Sequence, residues 1–124
     1  MPSQQQTFDT VVNHLRKQRT KAESHDPTGK RMTCMYRTPE GLRCAAGCLI
    51  PDDRYSPSLE FTVVGGTDDP DDRSNAVTRL LDDLGYDVNL VSDLQSIHDD
   101  KKVEQWEDEF IRVAEAYCLN YVQP

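Results

Sequence analysis

Long apolar runs are missing from this sequence of 124 residues. No stretch approaches the roughly 18 consecutive apolar residues that a membrane-spanning helix needs. The first residues, MPSQQQTF, also lack the basic and apolar regions of a secretory signal peptide. We therefore expect a soluble cytoplasmic protein, and in a reducing cytosol its four cysteines are expected to be thiols or metal ligands instead of disulfides.

The motifs of several common ligand sites are absent as well. Gly65-Gly66 lacks the lysine and the helix start that follow the glycines of a phosphate-binding loop. The acidic run TDDPDD lacks the central glycine and the closing glutamate of a calcium-binding loop. Adjacent carboxylates such as Asp82-Asp83 point in different directions on a helix, so they do not form an acid–base pair.

The charge of the chain is divided unevenly along its length. Residues 1–50 carry eight Lys/Arg and four Asp/Glu, whereas residues 51–124 carry six and eighteen, which gives the net charge of −8. An acidic surface repels nucleic acids and anionic membranes and attracts basic protein surfaces. The composition therefore argues against nucleic-acid and membrane partners, although the same acids can simply keep a small protein soluble.

Four segments have the apolar periodicity of amphipathic helices. Thr7 is predicted to be the N-cap of the first, and residues 1–6 before it are expected to be a disordered N-terminus. Gly85 suits the C-terminal cap of the second helix, and Asp87 or Asn89 can cap the third. The helices are predicted over residues 8–21, 75–84, 88–98 and 101–119.

Three of the four cysteines lie between Thr33 and Tyr55. MTCMYR and LRCA flank TPEG, a segment that suits a type I turn between two short strands, and AAGCLI then suits a short helix. The predicted fold is mainly α: one domain over residues 1–124, with about four helices and a small β-hairpin. Residues 62–73 are expected to form a mobile acidic loop, whose candidate partner-binding residues are Asp68, Asp69, Asp71 and Asp72.

The cysteines allow three interpretations. Zinc could be held by Cys34, Cys44, Cys48 and His98, although structural zinc sites usually show two closely spaced pairs. Cys44 could instead be a nucleophile, with His98 as its base and Asp99 orienting the imidazole. The favoured interpretation is that all the cysteines are small core hydrophobes and that the protein has no cofactor.

A distinctive pattern in and after the central segment consists of Cys34, Tyr36, Arg37, Gly41, Leu42, Cys44, Ala45, Gly47, Leu49, Ile50, Pro51, Asp52 and Tyr55, with His98, Asp99 and Trp106 further on. This pattern resembles a family of small, uncharacterised proteins of tailed bacteriophages. The resemblance covers Phe8 to about Leu119, although a glycine expected after Glu60 is replaced by Phe61, and residues 62–75 have no counterpart. It implies a phage origin and action in the host cytoplasm during infection, but no catalytic residues.

These observations favour a non-enzymatic interaction protein that binds a basic host protein, such as a defence component, through its acidic half. One alternative is a small hydrolase that uses Cys44 and His98. A second is an oligomeric protein that sequesters a small anionic signalling molecule, with Arg37, Arg43 and Arg54 as the anion contacts. In the favoured interpretation Arg37 pairs with Asp52 or Asp53, and His98 bonds the backbone of the hairpin.

Overall fold

The computed structural model describes residues 2–25, 32–61 and 76–124, which form four α-helices and one small sheet. The mainly helical fold class is therefore confirmed. The expected acidic loop over residues 62–73, with its four candidate aspartates, lies outside the described residues. The helices are α1 (Gln4–Gln18), α2 (Ala76–Asp83), α3 (Val88–Asp100) and α4 (Trp106–Ala116), and the strands are β1 (Glu23–His25) and β2 (Met32–Cys34).

The first helix begins earlier than the sequence indicates. Ser3, not Thr7, is the N-cap, because Ser3 and Gln6 form a reciprocal capping box that satisfies two free backbone N–H groups. Thr7 lies buried inside the helix and donates its hydroxyl to the Ser3 carbonyl. Residues 3–6, expected to be disordered, thus form the cap and first turn, and Gln5 is further bonded to the backbone of Asn120.

The other helix ends follow their capping residues. Asp87 caps α3 by accepting hydrogen bonds from the backbone N–H groups of Asn89 and Leu90. Gly85 has a φ of 89°, a conformation open to glycine that ends α2 as predicted. A 3-10 turn over Gly47–Leu49 occupies the segment where a short helix was predicted.

Helix α3 lies at the centre of the core and contacts α1, α2 and α4. Its apolar side is buried, as are the two large aromatic residues of α4, Trp106 and Phe110. The buried positions of α3 are Leu90, Val91, Leu94, Ile97 and His98. His98 is on the same side of α3 as these apolar residues, so its imidazole lies in the core of the protein.

The predicted hairpin around TPEG was wrong as a pair of strands. The turn forms, with the Gly41 N–H donated to the Thr38 carbonyl, but it is flanked only by an isolated bridge between Arg37 and Arg43. β2 pairs instead with the upstream strand β1 in an antiparallel ladder.

Side chains explain why no longer ladder forms there. Glu60 accepts the backbone N–H groups of Tyr36 and Arg37, and Gln18 accepts that of Arg43. The Tyr36 N–H, which a longer ladder would have bonded to the opposite strand, is thus bonded to a side chain from elsewhere in the chain.

Replacing Gly47 should destabilise the protein more than replacing Gly41. A Cβ at Gly47 would overlap the backbone carbonyl of Tyr36, whereas a Cβ at Gly41 meets open space and only a positive φ opposes it. We expect Gly47→Ala to lower the free energy of unfolding by about 3 kcal/mol and Gly41→Ala by about 1 kcal/mol, as measured by urea denaturation. Equal losses would show that the chain does not cross at Gly47 as closely as described.

Candidate functional site

The imidazole of His98 is fully buried and both of its nitrogens are bonded. Nδ1 lies 2.7 Å from the Oδ1 atom of Asp99, and Nε2 lies 2.8 Å from the backbone nitrogen of Ala22. A backbone N–H can only donate, so Nε2 is the acceptor and the ring proton sits on Nδ1. The fold therefore fixes the tautomer of His98, and the ring stacks on Trp106 with centroids 5.9 Å apart.

Asp99 extends this arrangement into a network. Its Oδ1 atom also accepts a hydrogen bond from Gln95, 2.9 Å away, and Gln95 in turn accepts the backbone N–H of Ala46. Burial alone would raise the pKa of Asp99, but hydrogen bonds from His98, Gln95 and Cys34 lower it below its usual value. We call these residues, His98, Asp99 and Gln95, the buried polar cluster; it joins α3 to the chain at Ala22 and Ala46.

The cysteines beside this cluster are poor nucleophiles. Burial raises the pKa of Cys44, whose side chain is 0% exposed, far above its usual value, and Cys44 accepts the Gly47 N–H. Burial likewise raises the pKa of Cys48 and that of Cys34 to about 12, with Asp99 adding to the effect on Cys34. At neutral pH these three are thiols, and reactivity belongs to the thiolate.

The proposed roles of the cysteines fare differently. The core role predicted for all four fits Cys44 and, in part, Cys34 and Cys48, but it was wrong for Cys118, which is exposed at a positive φ of 56°. A hydrolase built on Cys44 and His98 gains no support, because both side chains are fully buried and neither His98 nitrogen is free to take a proton.

One group of potential metal ligands exists in the described residues. Cys34, His98 and Asp99 place one ligand atom each within 4.8 Å of the others, whereas Cys44 and Cys48 join no such group there. The four zinc ligands predicted from the sequence therefore do not come together in the described part of the chain. Asp99 is the residue of the observed group that the predicted set did not include.

The hydrogen bonds of His98 do not suit a metal ion. A metal on Nδ1 would displace the proton to Nε2, where it would face the donating N–H of Ala22. Nε2 itself is already occupied by that N–H, and the Cys34 thiol would have to lose its proton against a raised pKa. The three residues fit a hydrogen-bonded cluster better than a metal centre.

Two of the three candidate anion-binding arginines lie together. Asp52 Oδ1 is 2.8 Å from Nη1 of Arg37 and 3.4 Å from Nη2 of Arg43, which confirms the predicted Arg37–Asp52 pair. The side chain of Arg54 forms no hydrogen bond or ion pair with the residues that the structure describes, and it is exposed.

Sequence reasoning missed the partners that position these side chains. Gln95 precedes Asp99 by four residues, which is the spacing of neighbours on a helix, so this contact carried a signal in the sequence. Ala22 takes part through its backbone alone, and no pattern of residue types marks such a donor.

Comparisons with protein-family models, with curated proteins and with solved structures gave no match for this chain. Among the described residues, every helix is too short or too polar to cross a membrane.

Replacing His98 should cost much more stability than replacing His14. His98→Phe leaves the buried Ala22 N–H without an acceptor, at a cost of about 1–3 kcal/mol, and it also removes the ring from the half-buried Asp99 carboxylate. His14→Phe removes one bond, from Nε2 to the Arg43 carbonyl, at a half-buried position. Urea denaturation should show a loss about twice as large or more for His98→Phe; similar losses would mean that the buried polar cluster does not hold the fold.

The stabilising effect of the Asp99 charge should disappear in acid. Because the pKa of Asp99 is lowered in the folded state, the ionised form contributes stability above the unfolded value of ~3.9 and loses it as pH falls through the folded value. The stability difference between the wild type and Asp99→Asn should be constant above about pH 5 and shrink below about pH 4. Asp53→Asn, an exposed change of the same charge, is the control; a parallel pH response in both variants would contradict the assignment.

Proposed function

We propose that this protein is a non-enzymatic phage accessory protein that binds a basic host protein, such as a defence component, through an acidic surface in the host cytoplasm. The phage assignment is supported by the resemblance of the central motif. The binding role is supported by the acidic side chains of α2, α3, α4 and the turns between them, most of which are exposed and form no ion pair in the described residues.

The acidic residues of this region divide into two groups. Residues 76–124 contain eleven Asp/Glu and four Lys/Arg, a net charge of −7. The four half-buried acids have structural partners. Asp87 caps α3, and Asp99 lies in the buried polar cluster. Glu107 pairs with Arg16, and Glu109 Oε1 lies 4.0 Å from both Lys101 Nζ and Arg112 Nη1.

The remaining seven acids are exposed, and we call them the acidic surface. None of them forms an ion pair with a lysine, arginine or histidine in the described parts of the chain, and only Asp93 is bonded to another side chain there, the Tyr117 hydroxyl. Its members are Asp82, Asp83, Asp93, Asp100, Glu104, Asp108 and Glu115. This lack of internal ion pairs is the observation that carries the proposal.

Unpaired acids of one sign have a physical consequence. Their mutual repulsion opposes the compact state, while their summed field attracts a basic surface and speeds its association. The absence of an accessible thiol–imidazole pair in the described residues leaves binding as the better-supported activity. The buried polar cluster then has the role of holding the scaffold on which the acidic surface is displayed.

Neutralising part of the acidic surface should weaken partner binding. The test variant combines Glu104→Gln, Asp108→Asn and Glu115→Gln, and the matched control combines Asp9→Asn, Glu40→Gln and Asp53→Asn, three exposed acids that do not belong to the acidic surface. Both changes remove three negative charges, so only their location differs. Host proteins that the wild-type protein captures from a cell extract are first purified. The affinity of each purified host protein is then measured for both variants.

We expect the test variant to bind about tenfold more weakly than the control, and the wild type to lose affinity between about 50 and 300 mM salt as screening increases. The loss should lie mainly in the association rate, because rim charges steer encounter. Binding that is insensitive to salt, or equal in the two variants, would contradict the proposal.

A further inference from the structure

The geometry points to a second site, independent of the acidic surface: we propose that Arg37 and Arg43 bind a phosphate-type oxyanion, and that Asp52 occupies this site in the absence of the anion. The two guanidinium groups converge on one carboxylate oxygen, at 2.8 and 3.4 Å. The Asp52 carboxylate thus shows the position that the oxyanion would take between the two guanidinium groups.

Arg37 is held firmly in place. Its Nη2 atom donates to the Ile50 carbonyl at 2.6 Å, and its guanidinium lies 4.7 Å above the ring of Tyr55. The Tyr55 hydroxyl is bonded to Glu60, which also accepts the backbone N–H of Arg37. Because the side chain is already ordered, an anion that binds to it has little rotamer entropy to remove.

The Nε atom of Arg37 is buried and has no hydrogen-bond partner among the described residues. The orientation of the guanidinium therefore leaves one donor unsatisfied while directing Nη1 at Asp52. Buried donors without partners are uncommon in folded proteins. The polar contacts of the Arg37 guanidinium are thus made by Nη1, to Asp52, and by Nη2, to the Ile50 carbonyl.

Arg43 is fixed through its backbone and remains accessible through its side chain. Gln18 accepts its N–H, and His14 and Gln18 are both bonded to its carbonyl oxygen, so α1 holds the residue. Its side chain is 39% exposed. One ordered and one accessible arginine are therefore presented to the same point.

An external anion can displace the Asp52 carboxylate from the two arginines. Asp52 lies on an exposed turn, its side chain is 81% exposed, and exposed ion pairs contribute only about 0–1 kcal/mol. It serves both arginines with one oxygen atom, whereas a tetrahedral dianion offers each guanidinium its own oxygen. Arg54, two residues further along the same turn, adds positive charge, and the adjacent Asp53 is paired with neither arginine in the described structure.

Phosphate titration followed by two-dimensional amide NMR tests this site. Inorganic phosphate, methyl phosphate and acetate are each added at an ionic strength kept constant with sodium chloride, so that general screening does not change. We expect saturable shifts at Arg43, Asp52 and Arg54 with both phosphates and weaker binding of acetate. Binding by methyl phosphate but not by inorganic phosphate would identify a monoester as the ligand class and still support the site, whereas acetate binding as tight as phosphate would overturn the preference for a phosphate-type anion.

Three variants locate the binding. Asp52→Asn should tighten phosphate binding about fivefold, the effect of removing a competitor worth about 1 kcal/mol. Arg43→Gln should weaken it at least about tenfold. Arg112→Gln removes the same charge from a side chain that is 77% exposed on α4, and it should leave the affinity unchanged.

Two results would overturn the site. One is the absence of saturable shifts even in Asp52→Asn, where the internal competitor is gone. The other is an equal loss of affinity in Arg43→Gln and Arg112→Gln, which would indicate general attraction of anions to cations. The acidic surface plays no part in this titration, so a failure here leaves the protein-binding proposal untouched.

Discussion

A buried histidine with both nitrogens bonded is the constraint on which the rest of the structure depends. His98 lies on the inner side of α3 and bonds Asp99 on its own helix and the backbone of Ala22 at the start of the sheet segment. A polar ring in the core would be costly if either nitrogen lost its partner. The bond to Ala22 therefore fixes where the chain must enter β1 and which ring nitrogen carries the proton.

The cysteine-rich segment is organised by the same kind of contact. Its backbone donors are accepted by side chains: Ala46 by Gln95, Arg43 by Gln18, and Tyr36 with Arg37 by Glu60. Short irregular segments stay ordered in this way without a strand ladder. The sulfur atoms then fill space or make weak hydrogen bonds inside a frame that side-chain amides and carboxylates define. Chemistry at the sulfurs is suppressed because burial keeps the thiols protonated.

Features of the fold that depend on neighbouring residues could be predicted from the sequence, whereas features that depend on residues far apart in the chain could not. The apolar stripe of α4 and the Asp87 cap are local patterns, and both were recovered. The Arg37–Asp52 pair was also expected, because the two residues flank one compact segment. The lack of a strand ladder around TPEG was missed, since Glu60 and Gln18 are far along the chain from the backbone groups they satisfy. A structural role for His98 was expected, but its partner Ala22 acts through a backbone N–H that no residue type reveals.

The tautomer of His98 tests the central claim most directly. Nitrogen NMR of the imidazole, with selective labelling of histidine, distinguishes a ring protonated at Nδ1 from one protonated at Nε2 or at both. The structure predicts a His98 ring protonated at Nδ1 alone at neutral pH, with Nε2 showing the shift of a hydrogen-bond acceptor coupled to the Ala22 amide. A ring protonated at Nε2, or one whose Nδ1 signal shifts on addition of zinc, would contradict the account and return the cluster to the metal or catalytic interpretations.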